Sequence, residues 1–191
     1  MLHKEILSSV AIILTFIAFI PYIRSIQKGI TKPHIFSWVI WASVTFIVFL
    51  AQLSDKGGAG AWPIGVSGII TLYVAILAYH KESDTMITRK DWMVFSVAMS
   101  ALPFWYFTAN PVWAVIILTT VDLIGFAPTF RKAYHYPNEE QLLFFVLMAC
   151  RNLIAIIALE HYSITTVLFP AATGLACILL IKLVLIRRTV K

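Results

Sequence analysis

Residues 6–26 read ILSSVAIILTFIAFIPYIRSI, and this stretch decides the class of fold to which the chain belongs. It contains a single charged side chain, Arg24, close to its end. About 20 predominantly apolar residues are enough for an α-helix to cross the hydrocarbon core of a bilayer. The stretch therefore predicts a membrane-spanning helix. No small-residue cleavage site follows it, which favours a retained helix over a signal peptide.

The rest of the chain has the same apolar character. Of its 191 residues, 60% are hydrophobic and 13% are charged, and the mean hydropathy is +0.87. A soluble domain is about one quarter charged. The composition therefore argues against a soluble enzyme and against a nucleic-acid partner, and the lipid bilayer is the expected environment. Cys150 and Cys177 lie in apolar runs, so we expect neither a disulfide framework nor a metal site, and no cofactor is indicated.

Seven apolar runs are long enough to span a bilayer, and the breaks between them contain Gly, Pro and charged residues. Backbone inside a bilayer must satisfy its own hydrogen bonds, and nothing in the chain alternates like a barrel strand. The sequence therefore predicts an all-α integral membrane protein with seven transmembrane helices. The predicted spans are residues 6–26, 35–53, 62–79, 92–108, 112–130, 141–159 and 163–186.

Basic residues are distributed unequally between the two sides of these spans. Eleven of them fall on one side, Lys4 and Lys56 on the other, and Arg151 and Lys182 within spans. Because cytoplasmic loops are enriched in Lys and Arg, we expect the N-terminus outside and the C-terminus in the cytoplasm, in the inner (plasma) membrane of a cell. The eleven are Arg24, Lys28, Lys32, Lys81, Arg89, Lys90, Arg131, Lys132, Arg187, Arg188 and Lys191.

The sequence also repeats weakly at an offset of 107 residues, which places Pro21 on Pro128 and Arg24 on Arg131. Each copy covers three spans. One additional span between the copies gives both the same orientation, an arrangement known in transporters. We therefore expect two parallel three-helix bundles, residues 1–82 and 111–191, joined by a linker loop and helix in residues 83–110.

A proline near the cytoplasmic end of the first helix of each copy, followed by a basic segment, resembles the PQ-loop superfamily. The stretch that carries the resemblance is PYIRSIQKGITKP, residues 21–33, followed by Ser37, with the weaker partner PTFRK at residues 128–132. That superfamily includes the SWEET sugar transporters and lysosomal amino-acid exporters. The resemblance implies alternating-access transport of a small polar solute such as an amino acid, vitamin or sugar, and coupling of this transport to protons stays open.

A second class of function stays open on the same fold. Sorting receptors resemble this architecture, and a receptor of this kind binds a peptide or small ligand without transporting it. Association into a homo-oligomer also stays open. Proteoliposome flux distinguishes a transporter from a receptor, because only a transporter moves its ligand.

Ionisable side chains within spans are the first candidates for function, because placing them in a bilayer costs several kcal/mol. Asp122 lies about 16 Å and Arg151 about 13 Å from the outer ends of their spans, at a rise of about 1.5 Å per residue. The two can therefore face one cavity together with Asn152, or form a structural ion pair. In a cavity they can bracket a zwitterion, or Asp122 can be a proton-coupling site whose charge depends on burial and on Arg151.

Aromatic and proline residues complete the set of candidates. Trp38 and Trp41 lie one turn apart and can stack on a solute, although lipid-facing Trp is an equal alternative, and Tyr73 can line the same cavity. Pro21 and Pro128 interrupt helical hydrogen bonding, so they are candidate hinges for an inner gate.

Overall fold

The computed structural model describes residues 2–29, 35–81, 89–135, 137–139 and 142–189, without the side chains of residues 90–91, 127–128, 131–132 and 139. Within these ranges the chain forms seven α-helices and no strand, which confirms the all-helical prediction. Short 3₁₀ turns lie at Gly58–Ala61 and Pro137–Glu139. The helices are α1 (Leu2–Gln27), α2 (Ile35–Ser54), α3 (Trp62–His80), α4 (Arg89–Thr108), α5 (Pro111–His135), α6 (Leu142–Ala158) and α7 (Ile164–Thr189).

Four helical segments in the described part of the chain are long and apolar enough to cross a membrane. They correspond to α1, α2, α7 and α3 together with the 3₁₀ turn before it. The apolar stretches of α4, α5 and α6 are shorter, at residues Trp92–Thr108, Pro111–Phe126 and Leu142–Ala158. These dimensions indicate insertion into a membrane.

The packing of the helices follows one rule in both halves of the chain. In the first half (α1–α3), α3 packs against both α1 and α2. In the second half (α5–α7), α7 packs in the same way against α5 and α6. Between the halves, α1 packs against α6 and α2 against α5, while α4 packs against α5 and α2. Apart from the contacts of α4 and a minor contact between α2 and α7, an exchange of the two halves therefore leaves the pattern of helix neighbours unchanged.

Contacts between named residues give the direction of the helices. Along α1, Lys4 contacts Leu159 at the end of α6, whereas Phe19 contacts Phe144 at its beginning, so α1 and α6 are antiparallel. At their last turns, the Nε of Arg187 in α7 donates to the carbonyl of Tyr134 in α5 at 3.1 Å, so α5 and α7 are parallel. The first and third helices of both halves therefore begin at the same end of the molecule.

The main hydrophobic core lies where α2, α3, α4, α5 and α7 meet. Its fully buried side chains include Val44, Val48, Ile64, Val115 and Leu118. A smaller cluster of Ala133, Leu180 and Val184 joins the last turns of α5 and α7. These cores leave the remaining contact between the halves, that of α1 with α6, to be made in part by polar groups.

Candidate solute-binding site

Arg151 is the most constrained polar residue in the middle of the molecule. Its side chain is 2% exposed, and all three guanidinium nitrogens donate to protein oxygens. Nε donates to the Thr15 hydroxyl at 3.3 Å, Nη1 to the Asn152 side-chain oxygen at 2.6 Å, and Nη2 to the Pro63 carbonyl at 3.0 Å. Thr15 and Pro63 belong to the first half and Arg151 to the second. The guanidinium therefore connects the two halves at mid-length.

Asn152 is held between this guanidinium and α7. Its side chain is 2% exposed, and a Cβ at Gly174 would lie 3.2 Å from its own Cβ. Gly174 thus permits the close approach of α6 and α7 that places Asn152 and Arg151 at the interface. Cys177, one turn further along α7, is also buried and interacts electrostatically with Arg151.

Asp122 lies at the centre of the buried face of α5, yet it is partly exposed. At 3.6 residues per turn, residues three, four and seven positions before it share its face. The buried side chains on that face are Val115, Leu118 and Thr119, and exposed Ile116, Leu123 and Ile124 lie on the opposite face. The accessible surface of Asp122 therefore faces the interior of the helix bundle and not its outer surface.

The Asp122 carboxyl has no direct partner among the residues that the structure describes. It interacts electrostatically with Arg151, but no ion pair within 4.0 Å joins the two side chains. The structure thus brings Asp122, Arg151 and Asn152 into one region. It gives Arg151 other partners and leaves the carboxyl unpaired.

Aromatic side chains form a continuous group at the α1–α2–α6 interface. The rings of Tyr22 and Trp38 stack with centroids 5.1 Å apart, and Trp41 meets the edge of Trp38 at 5.4 Å. Phe19 contacts Trp38 at 6.4 Å and Phe144 at 5.7 Å. Both tryptophans are partly buried within the molecule, so their rings take part in the packing between the halves.

Trp41 also connects this aromatic group to the helix of Asp122. A Cβ at Gly125 would lie 3.0 Å from the Trp41 Nε1 atom, so the absence of a side chain at Gly125 permits the indole to approach α5. Gly125 follows Asp122 by one helical turn, and residues three apart share a helix face. Trp41 is therefore a neighbour of the site.

Tyr73 does not join this region, which corrects the expectation from the sequence. It is 47% exposed, on a face of α3 that also exposes Ile69, Leu72 and Ile76. The buried face of α3 carries Thr71, Val74 and Ala75 instead. The helix is therefore rotated so that the tyrosine points away from the other candidates.

The two candidate hinge prolines lie within unbroken helices. Helix α1 continues through Pro21, which is exposed, and α5 continues past residue 128. The Pro128 side chain lies outside the described residues, as do residues 30–33 of the sequence stretch that carries the family resemblance. A proline in a helix interior leaves the carbonyl four residues earlier without its helical donor.

A second polar region, which the sequence did not indicate, joins the halves at one end of the bundle. It consists of the α2–α3 connector (residues 55–61) and the α6–α7 connector (residues 159–163), and we call it the connector end. The Asp55 carboxylate accepts a hydrogen bond from the Ser163 hydroxyl. His161 Nδ1 lies 3.0 Å from the Asp55 carbonyl and 3.7 Å from its carboxylate. The Gln52 amide donates to the Thr166 carbonyl at 2.7 Å.

Further bonds complete the connector end. The backbone N–H of Glu160 donates to the Gly57 carbonyl at 3.1 Å, and its carboxylate accepts from the Ala59 N–H at 3.2 Å. The Lys4 ammonium donates to the Leu159 carbonyl. A Cβ at Gly58 would lie 2.1 Å from the Glu160 carboxyl carbon, and the φ of this glycine is +60°. Glycine favours this turn, because it adopts the positive φ at no steric cost and leaves room for the Glu160 side chain.

Two further polar groups near these regions are buried and have no hydrogen-bond partner within the described part of the chain: the Gln52 side-chain oxygen and the Thr119 hydroxyl. Gln52 is detectable in the sequence as an amide within an apolar run. Thr119 is not, because a threonine in a helix usually bonds to its own backbone. Among the described residues, no group of three or more His, Cys, Asp or Glu side chains is placed to hold a metal ion.

Comparison of the chain with models of known protein families, with curated proteins and with solved structures finds no match.

Proposed function

We propose that the protein is a membrane transporter that moves a small polar solute by alternating access between its two halves. All seven helices cross the membrane as two parallel three-helix bundles with α4 as the linker, in an architecture similar to that of the PQ-loop superfamily. The excess of basic residues places the connector end outside and the C-terminus in the cytoplasm of a cell whose inner (plasma) membrane holds the protein. The apolar length of the helices and the equivalent packing of the halves support this proposal.

The observation that carries the proposal is the unpaired Asp122 carboxyl on the buried face of α5. A carboxyl at mid-membrane depth costs several kcal/mol unless something compensates it. No described residue bonds to it, although the Arg151 guanidinium lies near enough to interact electrostatically. A polar group of this kind at the interface of two similar halves is typical of a solute or proton site in a transporter.

The distribution of polar contacts supports a motion of one half against the other. The connector end is closed by hydrogen bonds between the halves, so the described conformation is closed to the outside in the proposed orientation. Arg151 forms the mid-length connection. Opening to the outside requires the bonds of the connector end to separate, while Pro21 and Pro128 offer hinges on the cytoplasmic side.

Uptake into proteoliposomes tests the proposal. Purified protein is screened with labelled amino acids, sugars and water-soluble vitamins, and Asp122→Ala is expected to reduce the uptake that the wild type shows at least tenfold. Thr120→Val is the matched control, because Thr120 is exposed on the opposite side of α5 and bonds only to the Ile116 carbonyl. Full uptake by Asp122→Ala contradicts the proposal.

Asp122→Asn separates two roles of the carboxyl. If Asp122 carries a proton during transport, this variant still exchanges solute but no longer accumulates it in response to a pH gradient. Arg151 and Cys177 are the described ionisable groups that interact with this carboxyl, so both must be kept intact in the comparison. Binding of a solute without any flux in the wild type identifies a receptor and rejects transport.

A further inference from the structure

Two neighbouring polar groups on α5 have no partner among the described residues, and they define a more specific site than the sequence indicated. They are the Asp122 carboxyl and the Thr119 hydroxyl, which lie one turn apart on the same face of the helix. Both offer oxygen atoms that accept hydrogen bonds. A ligand group that bonds to the ionised carboxylate must be a donor, and the hydroxyl, which can both donate and accept, can accept a bond from the same group.

The state of Thr119 differs from that of comparable threonines in this protein. Thr15, Thr71 and Thr173 are also buried in helices, and each donates to the carbonyl four residues earlier, at 2.9, 2.7 and 2.8 Å. Thr119 is only 3% exposed and makes no such bond. A buried hydroxyl without a partner costs roughly 1–3 kcal/mol, so a ligand that bonds to it recovers this free energy.

Arg151 is poorly available for binding an anionic group. Each of its three guanidinium nitrogens already donates to a protein oxygen, and two of those oxygens belong to the other half of the chain. Of its five N–H groups only two, one on each terminal nitrogen, remain for a ligand carboxylate, on a side chain that is 2% exposed. The Asp122 carboxyl, in contrast, has no hydrogen bond to a described residue that a ligand would have to replace.

An aromatic side chain approaches the helix that carries the two oxygens. Trp41 approaches α5 at Gly125, one turn from Asp122, and its neighbour Trp38 extends the aromatic group. The indole approaches α5 with its Nε1 edge, and a cation over the adjoining ring face gains about 0.5–2 kcal/mol, depending on how far the cation is desolvated. A carboxylate, a free hydroxyl and an indole together favour a positively charged ligand that donates hydrogen bonds.

We infer that the transported solute is a small organic cation with a protonated amine, bound by Asp122, Thr119 and Trp41. The ammonium donates to the Asp122 carboxylate and to the Thr119 oxygen, and it lies against the indole of Trp41. Arg151 holds the two halves together and does not contact the solute. This inference rests on the proposed function, because it names the substrate class of the same site.

A charge series on one molecular frame tests the inference. Tyramine (cation), tyrosine (zwitterion), tyrosol (neutral) and 4-hydroxyphenylpropionate (anion) share the hydroxyphenyl group, and butylamine with butanol forms a smaller pair. Binding to the full chain in detergent is measured by thermal shift and by tryptophan fluorescence. We expect at least one of the two amines to bind at least tenfold more tightly than every neutral or anionic member of its own series and, for tyramine, than tyrosine.

Variants assign the binding to the proposed groups. Asp122→Asn is expected to abolish amine binding. Thr119→Val is expected to weaken it about tenfold, as for one lost hydrogen bond to a charged group. Thr120→Val is the control and is expected to bind as the wild type does.

The outcomes separate the substrate class from the transport function. Tighter binding of tyrosine or of the anion, retention of amine binding by Asp122→Asn, or failure of both amines to bind overturns the cation site. Uptake of labelled tyrosine but not of either amine by proteoliposomes leaves transport standing and overturns the substrate class. Amine binding that depends on Asp122 and Thr119 but gives no flux supports the site and rejects transport.

Discussion

The connector end and the middle of the molecule join the same two halves by different means. At the connector end, residues 55–61 and 159–163 form direct hydrogen bonds with one another between the halves. In the middle, each guanidinium nitrogen of Arg151 donates to a protein oxygen, but Asp122 and Thr119 on α5 have no partner among the described residues. A region whose polar groups pair with each other across the halves stabilises one arrangement of the halves. A region with unpaired polar groups can accept a ligand.

The largest expected effect concerns stability and compares Arg151 with Asp122. Arg151→Met leaves the oxygens of Thr15, Asn152 and Pro63 without their donor in a buried interface, so we expect the free energy of unfolding to fall by about 3–5 kcal/mol. Asp122→Asn removes an unpaired charge, so we expect the free energy of unfolding to stay unchanged or to rise slightly. Denaturant titration in detergent micelles measures both.

This comparison decides between a pocket and a structural ion pair. If Asp122→Asn lowers the free energy of unfolding as much as Arg151→Met does, the two side chains depend on each other for stability. In that case the Asp122 carboxyl is paired with Arg151 in the folded protein.

The next effect tests the close packing of the connector end. A Cβ at Gly60 would lie 2.5 Å from the backbone nitrogen of Leu159 and 2.7 Å from the carbonyl oxygen of Ala155. Backbone atoms cannot turn away, so Gly60→Ala is expected to lower the free energy of unfolding by about 2 kcal/mol. Gly68→Ala is the control, since its Cβ would meet Phe46 at an ordinary 3.5 Å. Equal loss in both variants contradicts the description of this end.

A smaller effect concerns a single hydrogen bond across the connector end. Ser163→Ala removes the donor to the Asp55 carboxylate, at a cost of about 1 kcal/mol. We expect the buried Cys177 to react about fivefold faster with a membrane-impermeant thiol reagent, measured in a Cys150→Ser background. Ser9→Ala removes only a bond within α1, and its rate is expected to match that of the parent. An unchanged rate in Ser163→Ala contradicts a closing role for this bond.

The smallest expected effect concerns the contact between Trp41 and Gly125. Gly125→Ala places a Cβ 3.0 Å from the indole nitrogen, so the ring must move by a few tenths of an ångström. We expect the free energy of unfolding to change by less than about 0.5 kcal/mol, while amine binding weakens a few-fold and the Trp41 fluorescence shifts. The difference spectrum against Trp41→Phe isolates that signal. A large loss of stability without a change in binding contradicts the placement of Trp41 at the site.

The helices were predictable from the sequence because an apolar run of sufficient length identifies a candidate spanning helix without any knowledge of its neighbours. The sequence also predicted which ionisable residues lie near the centre of the molecule. Asp122 and Arg151 are ionisable groups in apolar runs, and counting residues along each helix placed them at similar depth. The structure gives them an electrostatic interaction.

Their bonding partners could not be predicted. Arg151 bonds to a backbone carbonyl, that of Pro63, and every residue has such a group. The sequence does not distinguish Thr119 from the other threonines, because its distinguishing feature is that its hydroxyl makes no hydrogen bond in the folded chain. The position of Tyr73 was missed because α3 is apolar on all sides, so its sequence has no periodicity that shows which face is buried. The connector end depends on two loops that meet only in the folded chain.

The hydrogen bonds of the connector end also have a kinetic consequence for the proposed transporter. At about 1 kcal/mol each, their separation adds several kcal/mol to any conformation that is open at that end. Because about 1.4 kcal/mol corresponds to a factor of ten in population, such a conformation is rare at equilibrium. The frequency of this opening, rather than the release of cargo at the opposite mouth, then sets the turnover rate.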